Sequence, residues 1–202
     1  MRHLWTVAAV AMVLAGCDQK TSAPAQMVTP GPASIAPVAP RPAAPSAPLT
    51  GFTHVKGEDL FGYYIPNTEV KIGDLKLDHV HIGSEAEFAQ WEGGDRTTTY
   101  APIMLEFSDL ASAKSENELG QTVYAHTIRV LPTAYKLGAG DLRFTGTDPT
   151  LGAVQLDGMI DMAALTRARA AGPGAQETIL RTALLIGATP FKTLSFNWFG
   201  GD

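Results

Sequence analysis

From residue 50 onward, apolar and polar positions mostly alternate. A period of two is the mark of a strand with one face buried. Val70 and Ile72, then Leu75 and Leu77, flank Gly73-Asp74, which predicts a tight hairpin. Ala101, Ile103, Leu105 and Phe107 share one face of a predicted strand, and Tyr124, His126, Ile128 and Val130 share one face of another. Leu142 and Phe144, Val154 and Leu156, Leu184 and Ile186, and Leu194, Phe196 and Trp198 continue the pattern. Turns are predicted at Gly138-Ala139-Gly140-Asp141, Gly146-Thr147-Asp148-Pro149 and Gly187-Ala188-Thr189-Pro190. Short strands so spaced predict a mainly β fold, an antiparallel sandwich or barrel. Two short helices interrupt it. Ser84 and Glu87 make a capping box closed by Gly93. Asp161 caps a second helix through Met162, Leu165 and Ala168, stopped by Gly172-Pro173, with Arg167 and Arg169 facing water.

The pattern before residue 50 is different. Residues 1 to 16 hold a short basic start, an apolar run and the small residues Ala15 and Gly16. The run is far shorter than the ~20 apolar residues a membrane span needs. It ends in Leu14-Ala15-Gly16-Cys17, and these four residues resemble the lipobox of bacterial lipoprotein signal peptides. The resemblance implies cleavage before Cys17 and lipid on its sulfur. Two or more acyl chains anchor stably. The implied location is the cell envelope, with the folded part facing the periplasm. Asp18 resembles an inner-membrane retention signal, but that signal differs between bacterial groups, so inner and outer membrane both stay open.

Residues 17 to 49 form the lipidated cysteine and a linker punctuated by eight prolines, with no aromatic residue. Such a composition does not bury enough apolar surface to offset its ordering entropy. Extended at ~3.1 Å per residue it reaches on the order of 100 Å, so it reads as a tether. Residues 50 to 202 then form a single domain. Cys17 is the sole cysteine, so the domain is expected to have no disulfide, no thiolate metal ligand and no cysteine nucleophile.

Once Arg2 leaves with the signal, fourteen basic side chains face twenty acidic ones, a net charge of about −6. No basic cluster occurs, which argues against a nucleic-acid partner. No nucleophile elbow, metalloprotease helix, phosphate loop or calcium loop is present. Neither enzymatic activity nor a cofactor is expected, and no catalytic residue is assigned.

His79 and His81 are the strongest metal candidates, because an i, i+2 pair shares one strand face. Hydrophobic parity flips between Leu77 and Val80, which predicts a bulge after which Val80 and Ile82 point inward. Both histidines then face solvent, and their joint replacement by alanine is expected to leave stability unchanged. A metal needs three or four ligands, and only His126 offers a third, so no metal site is assigned. His126 itself is read as a core or cavity-wall residue.

Residues 152 to 161, the helix after them, and the strands joined by Gly187-Ala188-Thr189-Pro190 resemble the polyisoprenoid-binding, lipocalin-like barrel family. The basic residue that this family carries before the turn proline is missing at Pro190. The resemblance implies an apolar cavity for a lipid-like ligand. The residues themselves favour a non-enzymatic binding or envelope-assembly module, with the lipid carrier as an alternative and a small metal-dependent hydrolase as a third. The ligand or partner site is placed at Phe61, Tyr63, Tyr64 and Trp198, the concentration of aromatics near the two ends of the domain.

Overall fold

In a computed structural model, residues 48–118, 120–172 and 174–201 are described. The segments expected to be a signal and a tether, with Cys17 between them, lie outside the described residues up to residue 47.

The domain is mainly β, as its alternation predicts. Its strands are β1 (Phe52–His54), β2 (Gly62–Pro66), β3 (Lys71–Ile72), β4 (Leu75–Ile82), β5 (Ile103–Asp109), β6 (Lys114–Glu116), β7 (Thr122–Tyr124), β8 (Thr127–Val130), β9 (Pro132–Gly138), β10 (Asp141–Asp148), β11 (Gly152–Ile160), β12 (Leu180–Ile186) and β13 (Thr189–Phe199). The helices are α1 (Glu85–Glu92) and α2 (Met162–Ala171). One sheet runs β1-β9-β10-β11-β12-β13-β2-β4-β5-β8, with β3 added to β4, and β6 and β7 form a separate ribbon. Pairing is antiparallel except where β1 runs parallel to β9.

Chain connectivity forces this sheet to curl. β8 ends the path and β9 is second from its other end, yet only Leu131 separates them. Laid flat, the eight strand spacings between them would span roughly 40 Å. One residue advances the chain by only about 3.8 Å. The sheet therefore bends into a half-barrel that brings its ends together. Gly146 in β10 lets them approach, since a Cβ there would lie 2.7 Å from both the Leu131 carbonyl and Val130. The expectation that Gly146 starts a turn is corrected. β10 continues to Asp148, whose carboxylate accepts from the N–H groups of Thr150 and Leu151 to make the turn three residues later.

Local signals set most other elements where they were expected. Gly73-Asp74 joins β3 to β4 and Gly187-Ala188 joins β12 to β13. Ala139 and Gly140 both take positive φ between β9 and β10, the geometry of a two-residue hairpin. In α1, Ser84 and Glu87 form the capping box and Gly93 ends the helix. In α2 the Asp161 carboxylate accepts from the Ala164 N–H at 2.9 Å. Leu165, Ala164 and Ala168 are buried, and Arg167 is exposed.

The strand expected through Tyr124 and Val130 breaks in two. The His126 carbonyl accepts from Asp109 N–H, and its own N–H donates to Ser112 Oγ, which makes a corner. β7 lies before the corner in the ribbon and β8 after it in the large sheet. His126 is exposed and is not a core histidine. The polar stretch at residues 112 to 121 supplies β6, whose residues are all exposed.

The inner face is filled by large side chains. Tyr64, Tyr135, Phe107, Phe144 and Phe196 have 0–1% of their surface exposed. Leucine, isoleucine and valine from β4, β5 and β10 to β13 pack around them.

Candidate functional site

The four aromatics predicted to act together are divided by the parity of β2. Tyr64 points inward, is fully buried, and donates its hydroxyl to the Leu60 carbonyl at 2.8 Å. Burial drives its phenol well above the usual range, with the nearby Arg169 opposing. Tyr64 is thus structural core, which corrects its assignment to a binding site. Tyr63 and Ile65 point outward from the same strand, Tyr63 half-buried and Ile65 exposed.

Phe61 and Tyr63 come together over His81 on the outer face, whereas Trp198 pairs in register with Tyr64, two positions from buried Phe196, and shares their parity. Trp198 Nε1 donates to the Phe61 carbonyl at 2.9 Å across 137 positions of sequence. Arg169 Nη2 donates to the same carbonyl at 3.2 Å, its guanidinium lies 5.2 Å from the Trp198 ring centre, and Nη1 pairs with Asp59 at 3.0 Å. Arg169 is therefore half-buried over an indole, where free exposure to water was expected. Gly62 makes the arrangement possible. Its φ is +141°, and a Cβ there would lie 2.2 Å from Trp198 Nε1. Phe199, in register with Tyr63, joins the outer face with its ring 6.3 Å from that of Tyr63.

The two histidines lie beneath Tyr63. β4 does shift register opposite β5 between Leu77 and His79, and Val80 and Ile82 are buried inward. His79 and His81 therefore share the outer face as predicted, but only the sheet's side was legible. Tyr63 packs on both rings, at 5.0 and 5.2 Å. Tyr100, from the connection after α1, covers His81 and leaves it 2% exposed. The solvent-facing assignment is corrected: His81 is buried and His79 half-buried.

Hydrogen bonding gives the His81 contact a direction. Tyr100 donates its hydroxyl to Glu87 Oε1 at 2.6 Å, so its oxygen accepts from His81 Nε2–H, also at 2.6 Å. Ser84 donates to the other Glu87 oxygen through Oγ at 2.8 Å and through its backbone N–H. His81 Nδ1 is buried without a hydrogen-bond partner among the described residues. A second ring proton would have no acceptor there. Burial, against the opposing pull of Glu87, lowers the His81 pKa to about 4. Burial also lowers His79, with Glu106 and Asp78 opposing. Burial would raise Glu87, but the hydrogen bonds from Tyr100 and Ser84 outweigh it and its pKa is lowered. Burial and Glu87 together push the Tyr100 phenol up. The chain of contacts fastens α1 to the sheet and holds His81 neutral.

Beside Trp198 runs a groove of ≈ 580 Å³ bordered by Ile65, Pro66, Asn67, Gln176, Asn197 and Phe199. Its wall is amphipathic. Ile65 is 44% exposed, while Asn197 donates to Gln176 Oε1 at 3.2 Å and Asn67 donates to Thr178 and Ser195 hydroxyls at 3.3 Å. Asn197 Oδ1 is buried without a hydrogen-bond partner among the described residues. The sequence carries no sign of this groove, because β2, β13 and the segment after α2 meet only in the folded sheet.

Among the described residues, no group of three or more His, Cys, Asp or Glu is placed to hold a metal, and no helix is long and apolar enough to cross a membrane. No family model, curated protein or solved structure matches this chain.

Proposed function

We propose that this chain is a non-enzymatic binding or envelope-assembly module, tethered by lipid at Cys17 with its domain facing the periplasm. The observation that carries the binding role is the groove along the ends of β2 and β13. Trp198 is pinned by Phe61 and Arg169 beside a groove that exposes Ile65. A rigid aromatic next to an exposed aliphatic and several amide groups is the composition of a docking surface. The filled interior lends no support to carriage of a lipid-like ligand inside the half-barrel, since Tyr64, Tyr135 and Phe196 occupy that space.

A photo-crosslinking residue placed at Ile65 should trap a discrete envelope protein in the native cell. The same residue at Met159, exposed but away from the groove, should not. Trp198→Ala should abolish the Ile65 adduct while the circular dichroism spectrum is retained. Equal trapping from both positions, or an adduct that survives Trp198→Ala, overturns the docking role.

The anchor has its own test. Cys17→Ser should leave the protein unprocessed or soluble, because the thiol is the atom that takes the lipid. Complete fractionation of the variant with washed membranes would end the lipoprotein reading.

A further inference from the structure

We propose that a second cleft, between the β1–β2 connection and the first turn of α1, binds a primary ammonium group carried on a short apolar stem. It is separate from the Trp198 groove, so failure of either reading leaves the other standing. The cleft measures ≈ 190 Å³ and is lined by His54, Phe61, Ser84 and Phe88, with carboxylates of Glu58, Asp59 and Glu85 also on its wall.

His54 forms one wall of the cleft. Its side chain is only 5% exposed. Nδ1 meets Glu92 Oε1 at 2.9 Å, and the same oxygen accepts from the Tyr135 hydroxyl at 3.0 Å. A carboxylate only accepts, so Nδ1 carries a proton, and in its neutral form the ring presents a lone pair at Nε2. The ring is held flat against Phe88, 4.5 Å between centres. Nε2 is buried and has no hydrogen-bond partner among the described residues. A buried acceptor with no donor is costly, and a ligand N–H would relieve it.

Acidic residues line the rest. Glu58 accepts from the backbone N–H of Ala139, and Glu85 from that of Gly57. Both partners are backbone amides, which carry no charge. Among the described residues, only Asp59 of the three pairs with a cation, Arg169. Lys56 lies on the same connection but is not part of the lining. The positive end of a helix would favour an anion here. However, Glu85 and Glu87 in the first turn of α1 oppose that field. A cleft with negative charge, aromatic walls and one unpaired acceptor selects a cation that also donates N–H bonds. The small volume limits the stem to a few carbons. Such a group exists as a free alkylamine or as the end of a lysine side chain.

The test is a titration of the full chain, labelled with ¹⁵N in its histidine rings, with n-butylammonium. The His54 Nε2 resonance, assigned by its loss in His54→Gln, should shift and saturate. Butan-1-ol and butyltrimethylammonium, which lack the charge and the N–H donors respectively, should each bind weaker by about tenfold or more. The double variant Glu58→Gln, Glu85→Gln keeps the oxygens that accept from Ala139 and Gly57. It should retain the fold and also lose about tenfold or more. A capped lysine peptide that binds tighter than n-butylammonium would identify a partner's side chain as the source, and the reverse order a free amine. No saturable shift, equal binding of butan-1-ol, or unchanged affinity in the double variant overturns the proposal.

Discussion

Truncation of Tyr64 to alanine is expected to destabilise the domain by about 3–5 kcal/mol, the range for a large aromatic removed from a packed core. Tyr64 has none of its surface exposed and lies in register with Val80 of β4 and Trp198 of β13. Its loss would leave a cavity where the two halves of the sheet path join. Phe196→Ala, from the neighbouring strand and equally buried, should behave the same way. Tyr64→Phe separates packing from hydrogen bonding. It keeps the ring but leaves the Leu60 carbonyl without its 2.8 Å donor, and should cost about 1–3 kcal/mol. Urea unfolding of the three variants provides the measurement. If Tyr64→Ala unfolds at the wild-type midpoint while Phe196→Ala does not, the side chain is no part of the core.

Stability should also fall steeply in mild acid. The unfolded His81 takes a proton near its ordinary value of 6.5, whereas the folded ring resists until about 4. Its contribution is therefore complete above pH 6.5 and is lost as pH falls from there toward 4. Linkage converts this difference to about 2 kcal/mol between pH 7 and pH 5. His79, whose pKa is also lowered, acts in the same direction. Glu87, lowered from 4.5, adds its loss only at more acid pH. His81→Leu has no ring to protonate, so its unfolding free energy should fall less over this interval, although its stability at pH 7 is reduced. Identical losses in His81→Leu and wild type would show that protonation of this ring does not govern the acid response. The same burial changes the outcome for the paired alanine variant at His79 and His81. It should be clearly destabilised, because removing His81 leaves a void and takes the donor from Tyr100.

Signals confined to a few neighbouring residues were legible in the sequence. Ser84 with Glu87 placed the start of α1, Asp161 the start of α2, and Gly73-Asp74 and Gly187-Ala188 their hairpins. Caps and turns use backbone groups within about four positions, so the chain alone determines them. Alternation likewise sorted most residues onto the two faces of each strand, and the parity flip after Leu77 located the β4 bulge.

Alternation alone did not decide which residues the outer face leaves bare. Tyr63 and Tyr64 are chemically alike, and their separation into surface and core depended on the register of β2 between β4 and β13. His81 looked solvent-facing because Tyr100, nineteen positions away, shows no periodic link to it. Trp198 needed the glycine at position 62 and the carbonyl of Phe61 to take its place. His126 fell out of the core because hydrogen bonds from Asp109 and to Ser112 turned the chain there. By itself, the sequence determined a mainly β domain with capped helices and short hairpins, as far as its described residues extend. Only the tertiary structure decided the curl of the sheet, the cover over His81, and the groove beside Trp198. The physical reason is range: propensity, capping and alternation act along the chain, whereas covering a face depends on residues brought together from distant positions.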